Sequence, residues 1–514
     1  MAHLAAVLGA LGAPLVLVSC RRTVILGGLG AIAVAETLLA TSGGNGVSAS
    51  RAALGIVGLA VLAVGALLFV RRPELVPLLV LIAAPFRLPF DFGGGHRFFV
   101  GLARDGQIGR LLPLYAVLTA AALALVWRLM REPERERERE PEREREREPE
   151  REREREPERE REPERELLPL PPEIAFPLAA LASFAAVSVL WSSADAAATN
   201  LLQYFLLPFV VLVAVVARSP FPAWMPRALG IAAVSLATLF ATVGIVQEAT
   251  HRLLFYTPAV EIGNAYSSFF RVTSLFRDPS LYGRHLVLGI AVVLAVAWYR
   301  KAGLAIAAVI VAFLFAGLFF SYSQSSLVAL FGVAVFVSVV AGDRAVRLAA
   351  AVTAVLVVGG GGAFVADKVA GASAQRVTSD RSRRIELTAS VFAKHPLVGV
   401  GLGSQPRASQ ALSANGGPPS LFVSHTTPLT VAAELGIVGL ALYAALLAGV
   451  SKALLRLFRL EPAFGLALAA VFLALFIHSL FYSGFFEDPI TWLVLGTASG
   501  FLATRSVTRA GSPA

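Results

Sequence analysis

Long apolar runs alternate with short polar segments along almost the whole chain, and these runs define the fold class. Each run has about 20 residues, the length that a helix needs to cross a hydrocarbon core of about 30 Å. The pattern predicts about 14 to 15 transmembrane helices. We therefore expect an all-α, polytopic integral membrane protein with one large extracytoplasmic loop.

The composition agrees with this fold class. Hydrophobic residues make up 56% of the 514 residues, and the mean hydropathy is +0.70, values that exclude a soluble enzyme of this length. The single cysteine, Cys20, excludes an internal disulfide framework. Histidines and carboxylates lack the spacing of metal ligands, so we expect no cofactor and no protein-bound metal.

The chain divides into three segments. Residues 1–130 are predicted to be N-terminal transmembrane helices, and residues 167–514 a transmembrane catalytic core. Between them, residues 131–166 repeat Glu, Arg and Pro, and the prolines are expected to interrupt any long helix, which predicts a solvated cytoplasmic linker. The first apolar run, 4–20, is either a retained span or a cleaved signal peptide; the absence of Lys and Arg before it favours the span.

The positive charge lies mainly in the short loops between the predicted spans. The net charge is +10, and because residues 131–166 hold 13 Arg and 18 Glu, the rest of the chain carries +15. This distribution favours a role in membrane topology, with lipids and not nucleic acid as partners. It places the loops 247–284 and 367–427 on the same, outer side of the membrane.

The segment 381–439 departs from the pattern of simple spans, because arginines, a histidine and glycines gather between two apolar blocks. Thr426 or Thr427 can serve as N-cap and Pro428 as first helical residue, so a membrane helix is predicted to begin directly after His425. The free N–H groups of that helix favour an anion, beside an imidazole that can act as a base near neutral pH.

Arginines supply positive charge to this predicted anion site. Arg381 and Arg384 are three residues apart and share one face of a predicted helix, while Arg383 competes with Arg381 for the same role. Arg271 comes from the loop 247–284. Guanidinium groups suit a diphosphate, although anchoring at the membrane boundary is the alternative interpretation for each of them.

These motifs resemble the O-antigen ligase and O-antigen polymerase family of bacterial membrane glycosyltransferases. The family pattern is an arginine helix, P-x-x-G-x-G, a histidine and G-x-x-G, matched here by Pro396, Gly399, Gly401, His425, Gly436 and Gly439. Upstream, R-V-x-x-x-F-x-D-P at 271–279 resembles a second family landmark, and S-Y-S-Q-S-S at 321–326 resembles a third.

The resemblance implies a membrane glycosyltransferase at the outer face of the bacterial cytoplasmic membrane. It would transfer or polymerise glycan from a polyprenyl-diphosphate donor onto a hydroxyl of a lipid, glycan or protein acceptor, without a metal and with inversion. The implied catalytic residues are His425, Arg271 and Arg381, and the implied substrate-binding residues are Arg384, Thr427, Glu434 and Arg277. A transporter or flippase of lipid-linked glycans is the alternative, distinguished by movement of substrate without a new glycosidic bond.

Three ionisable residues lie inside predicted spans, where charge is costly. Glu434 follows His425 closely and is a candidate for function. His478 and Glu36 are interpreted as interior polar groups whose hydrogen bonds are satisfied within the fold.

Overall fold

The structure, a computed structural model, describes residues 1–41, 49–86, 111–147, 170–300, 303–355, 381–414, 416–482 and 484–510. Within these ranges helices are the regular elements and there is no strand, which confirms the all-α prediction. The helices are α1 (Ala2–Val18), α2 (Arg22–Thr41), α3 (Ala49–Arg71), α4 (Val76–Ala83), α5 (Leu112–Arg147), α6 (Pro172–Val187), α7 (Asp195–Leu201), α8 (Leu207–Ala217), α9 (Met225–Thr250), α10 (Pro258–Tyr266), α11 (Pro279–Arg300), α12 (Leu304–Phe319), α13 (Gln324–Ala341), α14 (344–355), α15 (Arg381–Lys394), α16 (Gln405–Ala411), α17 (Thr427–Leu460), α18 (Pro462–Ser479) and α19 (Pro489–Ala510).

The lengths and hydropathies of these helices confirm a polytopic membrane protein. In the described ranges, nine helical segments have at least 18 residues and enough apolar character to cross a membrane. Four shorter apolar helices accompany them: Ala2–Val18, Gly58–Arg71, Pro73–Ala83 and Leu304–Phe319.

The helix α5 continues into the segment that was predicted to be a linker. It runs to Arg147 and contains Pro133 and Pro141, so the expectation that proline would interrupt a long helix is wrong for this part of the repeat. Residues 148–169 lie outside the described ranges.

Close packing of α11, α13 and α18 forms the part of the bundle beneath the site, and α17 packs against α6 and α18. Small residues permit close approach of the helices: a Cβ at Gly289 of α11 would lie 2.4 Å from Cβ of Ala237 in α9. The residues of the site are therefore held by closely packed helices.

The helix α17 is broken at Gly436, where φ is 66° and ψ is −163°. The break exposes backbone groups that pair with the loop 396–401. The four backbone hydrogen bonds are Val400 N to Ala433 O, Gly401 N to Glu434 O, Ile437 N to Pro396 O, and Val438 N to Leu397 O. The loop after α15 is thus fastened to the first turns of α17.

The glycines of both motifs permit this backbone contact. A Cβ at Gly399 would lie 2.2 Å from the carbonyl carbon of Glu434, and one at Gly436 would lie 2.2 Å from the carbonyl oxygen of Leu397. Both residues also have positive φ, a backbone conformation that residues other than glycine rarely adopt. These glycines therefore provide the turns and the close approach of the two backbones.

Candidate active site

The helix α15 presents one polar and one buried face, and Arg384 lies on the buried face. Thr388 and Val391, four and seven residues after Arg384, are the buried residues of this helix. Because these positions share one face, the Arg384 side chain points toward the body of the protein. Its Nη1 lies 2.6 Å from Nε2 of His425.

A buried glutamine fixes the relative position of α15 and the segment that carries His425. Gln405, which is 1% exposed, donates through Nε2 to Thr388 Oγ1 and to the carbonyl of Phe422. Its Oε1 accepts from the backbone N–H of Ser424. The sequence gives no signal for this role of Gln405, because its partners lie on two other segments, α15 and residues 422–424.

The helix start after His425 is where the sequence predicts it. The helix α17 begins at Thr427, with Thr426 as N-cap residue. The Thr426 hydroxyl, however, donates to the carbonyl of Leu480 at 3.1 Å instead of capping the helix with its side chain. This bond ties the histidine segment to the loop between α18 and α19.

Arg271 reaches the same region from the loop before α11. Its backbone N–H and C=O are both bound by the side chain of Asn264, and its Nε donates to the carbonyl of Ser321 at 3.4 Å. Burial, together with the positive charge of Arg381, lowers the pKa of Arg271, while Asp278 acts in the opposite direction. Arg271 therefore faces both Arg381 and Asp278.

Asp278 is the acidic member of the cluster and also fixes the start of α11. Its Oδ1 accepts from the backbone N–H groups of Ser280 and Leu281, at 2.7 and 3.3 Å. Asp278 is therefore the N-cap of α11. The charge of Asp278 also acts on His425.

The surroundings of His425 fix its protonation state. Burial, and then the charges of Arg384 and Arg381, lower the pKa of His425 to about 4, against a weaker opposing effect of Asp278. A guanidinium is always a donor, so Nε2 must accept from Arg384 and the proton sits on Nδ1. Nδ1 is buried and has no hydrogen-bond partner in the described part of the chain.

Arg384 therefore contacts His425, and Arg381 lies within electrostatic range of both His425 and Arg271, although Arg271 is far from the others in the sequence. Arg383 is directed elsewhere and donates to Ser413 Oγ at 2.8 Å. This arrangement distinguishes Arg381 from Arg383, which the sequence leaves as competitors.

Two of the remaining predicted residues line a cavity, and the third, Arg277, is at the surface. Thr427 and Glu434 line a mostly apolar cavity that they share with Thr430 and Glu487. Glu434 Oε1 also accepts from the backbone N–H of Gln405 at 3.2 Å, at the start of α16. Arg277 is exposed and makes no hydrogen bond or ion pair with the residues that the structure describes.

Part of the chain matches a known protein family. Residues 309–444 match the family described as O-antigen ligase, which confirms the resemblance seen in the motifs. Arg381, Arg384 and His425 lie inside the matched range, whereas Arg271 precedes it. No curated protein matches the chain.

Proposed function

We propose that this protein is a membrane enzyme of surface-polysaccharide assembly that transfers or polymerises glycan from a polyprenyl-diphosphate donor. The match of residues 309–444 to the O-antigen ligase family supports this proposal. The acceptor is a hydroxyl group of a lipid, glycan or protein. The observation that carries this proposal is the contact of Arg384 with a neutral histidine on which Arg381 also acts, with Arg271 within electrostatic range of Arg381.

The arginines supply the donor-binding charge. Arg271, Arg381 and Arg384 lie within electrostatic range of one another or of His425, with Asp278 as the acidic group among them. Such a cluster is unfavourable by itself, and a diphosphate would relieve the repulsion through charge-assisted hydrogen bonds. The permanent charge of guanidinium makes this attraction independent of pH in the physiological range.

Donor binding also changes the state of His425. In the free protein, Arg384 occupies the lone pair of Nε2. A diphosphate oxygen is a stronger acceptor for guanidinium than a neutral imidazole, so the bound donor draws Arg384 away and frees Nε2. Nε2 of His425 therefore becomes available as a base only when the donor is bound, which limits proton transfer in the absence of donor.

The reaction is a single displacement. The acceptor O–H gives its proton to Nε2 of His425, and the acceptor oxygen attacks the anomeric carbon of the donor sugar. The bond from that carbon to the diphosphate oxygen breaks, its electron pair stays on the diphosphate, and Arg271 and Arg381 stabilise the added charge. Attack opposite the leaving group inverts the anomeric centre, and diphosphate needs neither a separate acid nor a metal.

Thr427 and Glu434 are proposed to bind substrate through the cavity that they line. The N–H groups at the start of α17 favour the phosphate, and the Glu434 carboxyl can accept hydrogen bonds from sugar hydroxyls. Arg277, at the surface, would contact the donor only from outside the cluster.

The charge distribution supports a site on the outer face of the bacterial cytoplasmic membrane. Basic residues lie just after α1 and in the last turns of α17, at the ends away from the site: Arg21, Arg22, Lys452, Arg456 and Arg459. Such residues favour the cytoplasmic side, so the opposite end, with His425, faces outward.

The direct test is to reconstitute the protein in vesicles with a radiolabelled polyprenyl-diphosphate oligosaccharide. We expect a new glycosidic bond and release of polyprenyl diphosphate; the group attached to the reducing end of the product distinguishes a polymerase from a ligase. Movement of the intact donor across the bilayer, without a new bond, would instead support the flippase alternative.

A further inference from the structure

A second arginine–histidine pair is buried beside the proposed site, inside the membrane-spanning helices. Arg284 of α11 is 3% exposed and His478 of α18 is fully buried. Nε and Nη2 of Arg284 lie 3.2 and 3.1 Å from Nδ1 of His478, and Nη1 lies 2.5 Å from Oδ2 of Asp488. Charged groups in spans are costly, which makes this cluster a candidate for function.

The direction of the hydrogen bonds in this cluster follows from the arginine. Because Arg284 can only donate, Nδ1 of His478 accepts and the proton lies on Nε2. Nε2 therefore donates to Ser325 Oγ, 3.2 Å away. This is the wrong tautomer for activating Ser325 as a nucleophile, so the cluster is not a hydrolytic triad.

The network continues from Ser325 to the turn that holds Arg271. Ser325 Oγ lies 3.2 Å from Oγ of Ser323, which caps α13 by accepting from the N–H of Ser326. In the same turn, the carbonyl of Ser321 accepts from Nε of Arg271. The cluster is thus joined to one of the proposed donor-binding arginines.

On its other side the cluster supports an aromatic ring next to His425. The Tyr482 ring lies 5.7 Å from the Arg284 guanidinium carbon and 5.4 Å from the His478 ring. The centroid of the same ring is 6.4 Å from that of His425. Leu480, two residues earlier, accepts from Thr426.

We infer that Arg284, His478 and Asp488 form a positioning network that holds the Arg271 turn and the Tyr482 ring around the transfer site. The inference rests on the proposed function. The three residues touch no reacting atom; they act through Ser325 on one side and Tyr482 on the other. The interpretation of His478 as a satisfied interior group is therefore incomplete.

Arg284→Lys tests the network because lysine keeps the charge but lacks the guanidinium fork. We expect kcat for transfer from a polyprenyl-diphosphate oligosaccharide to fall about 10- to 100-fold, with a much smaller change in KM for the donor. The matched control is Arg218→Lys. Arg218 is equally buried and donates to the carbonyls of Val16 and Ser19, at the end of α8 away from the site.

A pair of substitutions at His478 separates positioning from general loss of structure. His478→Gln can accept from Arg284 through its carbonyl and donate to Ser325 through its amide, so it should keep most of kcat. His478→Leu can do neither and should lose about tenfold or more. Equal activity of both variants would overturn the proposed hydrogen-bond chain.

Thiol labelling gives a readout that needs no substrate. In a Cys20→Ser background, which removes the single native cysteine, Phe481→Cys places a thiol at an exposed position beside Tyr482. We expect its reaction with a maleimide to change severalfold when Arg284→Lys is added, because the segment loses its support, and to stay unchanged with Arg218→Lys.

The two readouts separate failure of the network from failure of the proposed function. If the parent protein forms glycosidic bonds while Arg284→Lys matches it in kcat and in labelling, the positioning network is wrong. If the parent forms no bond, the proposed function fails, and the labelling still decides whether Arg284 holds the segment around Tyr482.

Discussion

Nη1 of Arg384 lies 2.6 Å from Nε2 of His425, so the candidate base is held neutral and its lone pair is occupied by the same contact. Because a guanidinium always donates, the imidazole in this state cannot accept a proton at Nε2. The arginine, proposed as a donor-binding group, thus also blocks the candidate base in the free protein.

The pH dependence of the free enzyme should reflect the lowered pKa of His425. Activity requires the neutral imidazole, so kcat/KM should persist below pH 6.5 and fall only as the pH drops through about 4. Arg384→Gln removes one cation, which raises the pKa of His425 and moves the acid limb to higher pH. The pKa should not reach 6.5, because burial is the largest cause of its lowering and remains in the variant. If the acid limb of the kcat/KM profile does not shift in this variant, protonation of His425 is not the cause of the loss of activity at low pH.

Arg381→Gln should separate activity from stability. Arg381 has no hydrogen bond or ion pair within the described ranges, and its charge acts unfavourably on Arg271 and His425. Its removal should therefore raise the thermal unfolding midpoint slightly while lowering donor turnover about 10- to 100-fold, the loss expected for a charged hydrogen-bonding group. A fall in both quantities would assign Arg381 a structural role.

Gly436→Ala should prevent correct folding. The added Cβ would lie 2.2 Å from the Leu397 carbonyl oxygen, in a backbone conformation that only glycine adopts easily, so we expect a loss of about 3 kcal/mol or more in unfolding free energy. The control is Gly30→Ala, on an exposed face of α2 with no atom within 4 Å of the new Cβ. Thermal unfolding in detergent compares the two; equal midpoints would refute the backbone contact.

Glu434→Gln tests whether the buried carboxyl acts by charge or by its hydrogen bond. A glutamine carbonyl can still accept from the N–H of Gln405, so if the role is to fix α16, activity should change by no more than about twofold. Glu434→Ala should lower the unfolding midpoint, because the N–H loses its acceptor. A large loss of kcat in Glu434→Gln with unchanged stability would instead indicate a role in substrate binding.

The sequence predicts the helices and much of the candidate site because both depend on local patterns. Apolar runs set the spans, Asp278 and Thr426 mark helix starts, and the spacing of Arg381 and Arg384 places both on one face. An anion site beside a candidate base can therefore be predicted from the arginines and the histidine in the sequence alone.

The remaining features depend on contacts between distant segments. The run around Gly436 has the hydrophobic pattern of a continuous helix, and its break becomes evident only through pairing with residues 396–401. The structural role of Gln405 likewise cannot be predicted from the sequence. The run at 463–485 predicts one span, yet α18 ends at Ser479 and the following loop brings Tyr482 to His425. Phe485 and Phe486 of that loop pack against Tyr443 of α17, so composition alone cannot distinguish the loop from a span.

Transfer by the His425→Ala variant, compared with the unsubstituted protein, tests the central claim most directly. Both proteins are reconstituted in vesicles at equal amounts and supplied with the same radiolabelled polyprenyl-diphosphate oligosaccharide and acceptor. The account predicts that the unsubstituted protein forms the glycosidic bond, and that His425→Ala, with an unchanged unfolding midpoint, loses at least about 100-fold in rate, within the usual contribution of a general base. Undiminished bond formation by a correctly inserted His425→Ala protein would contradict it.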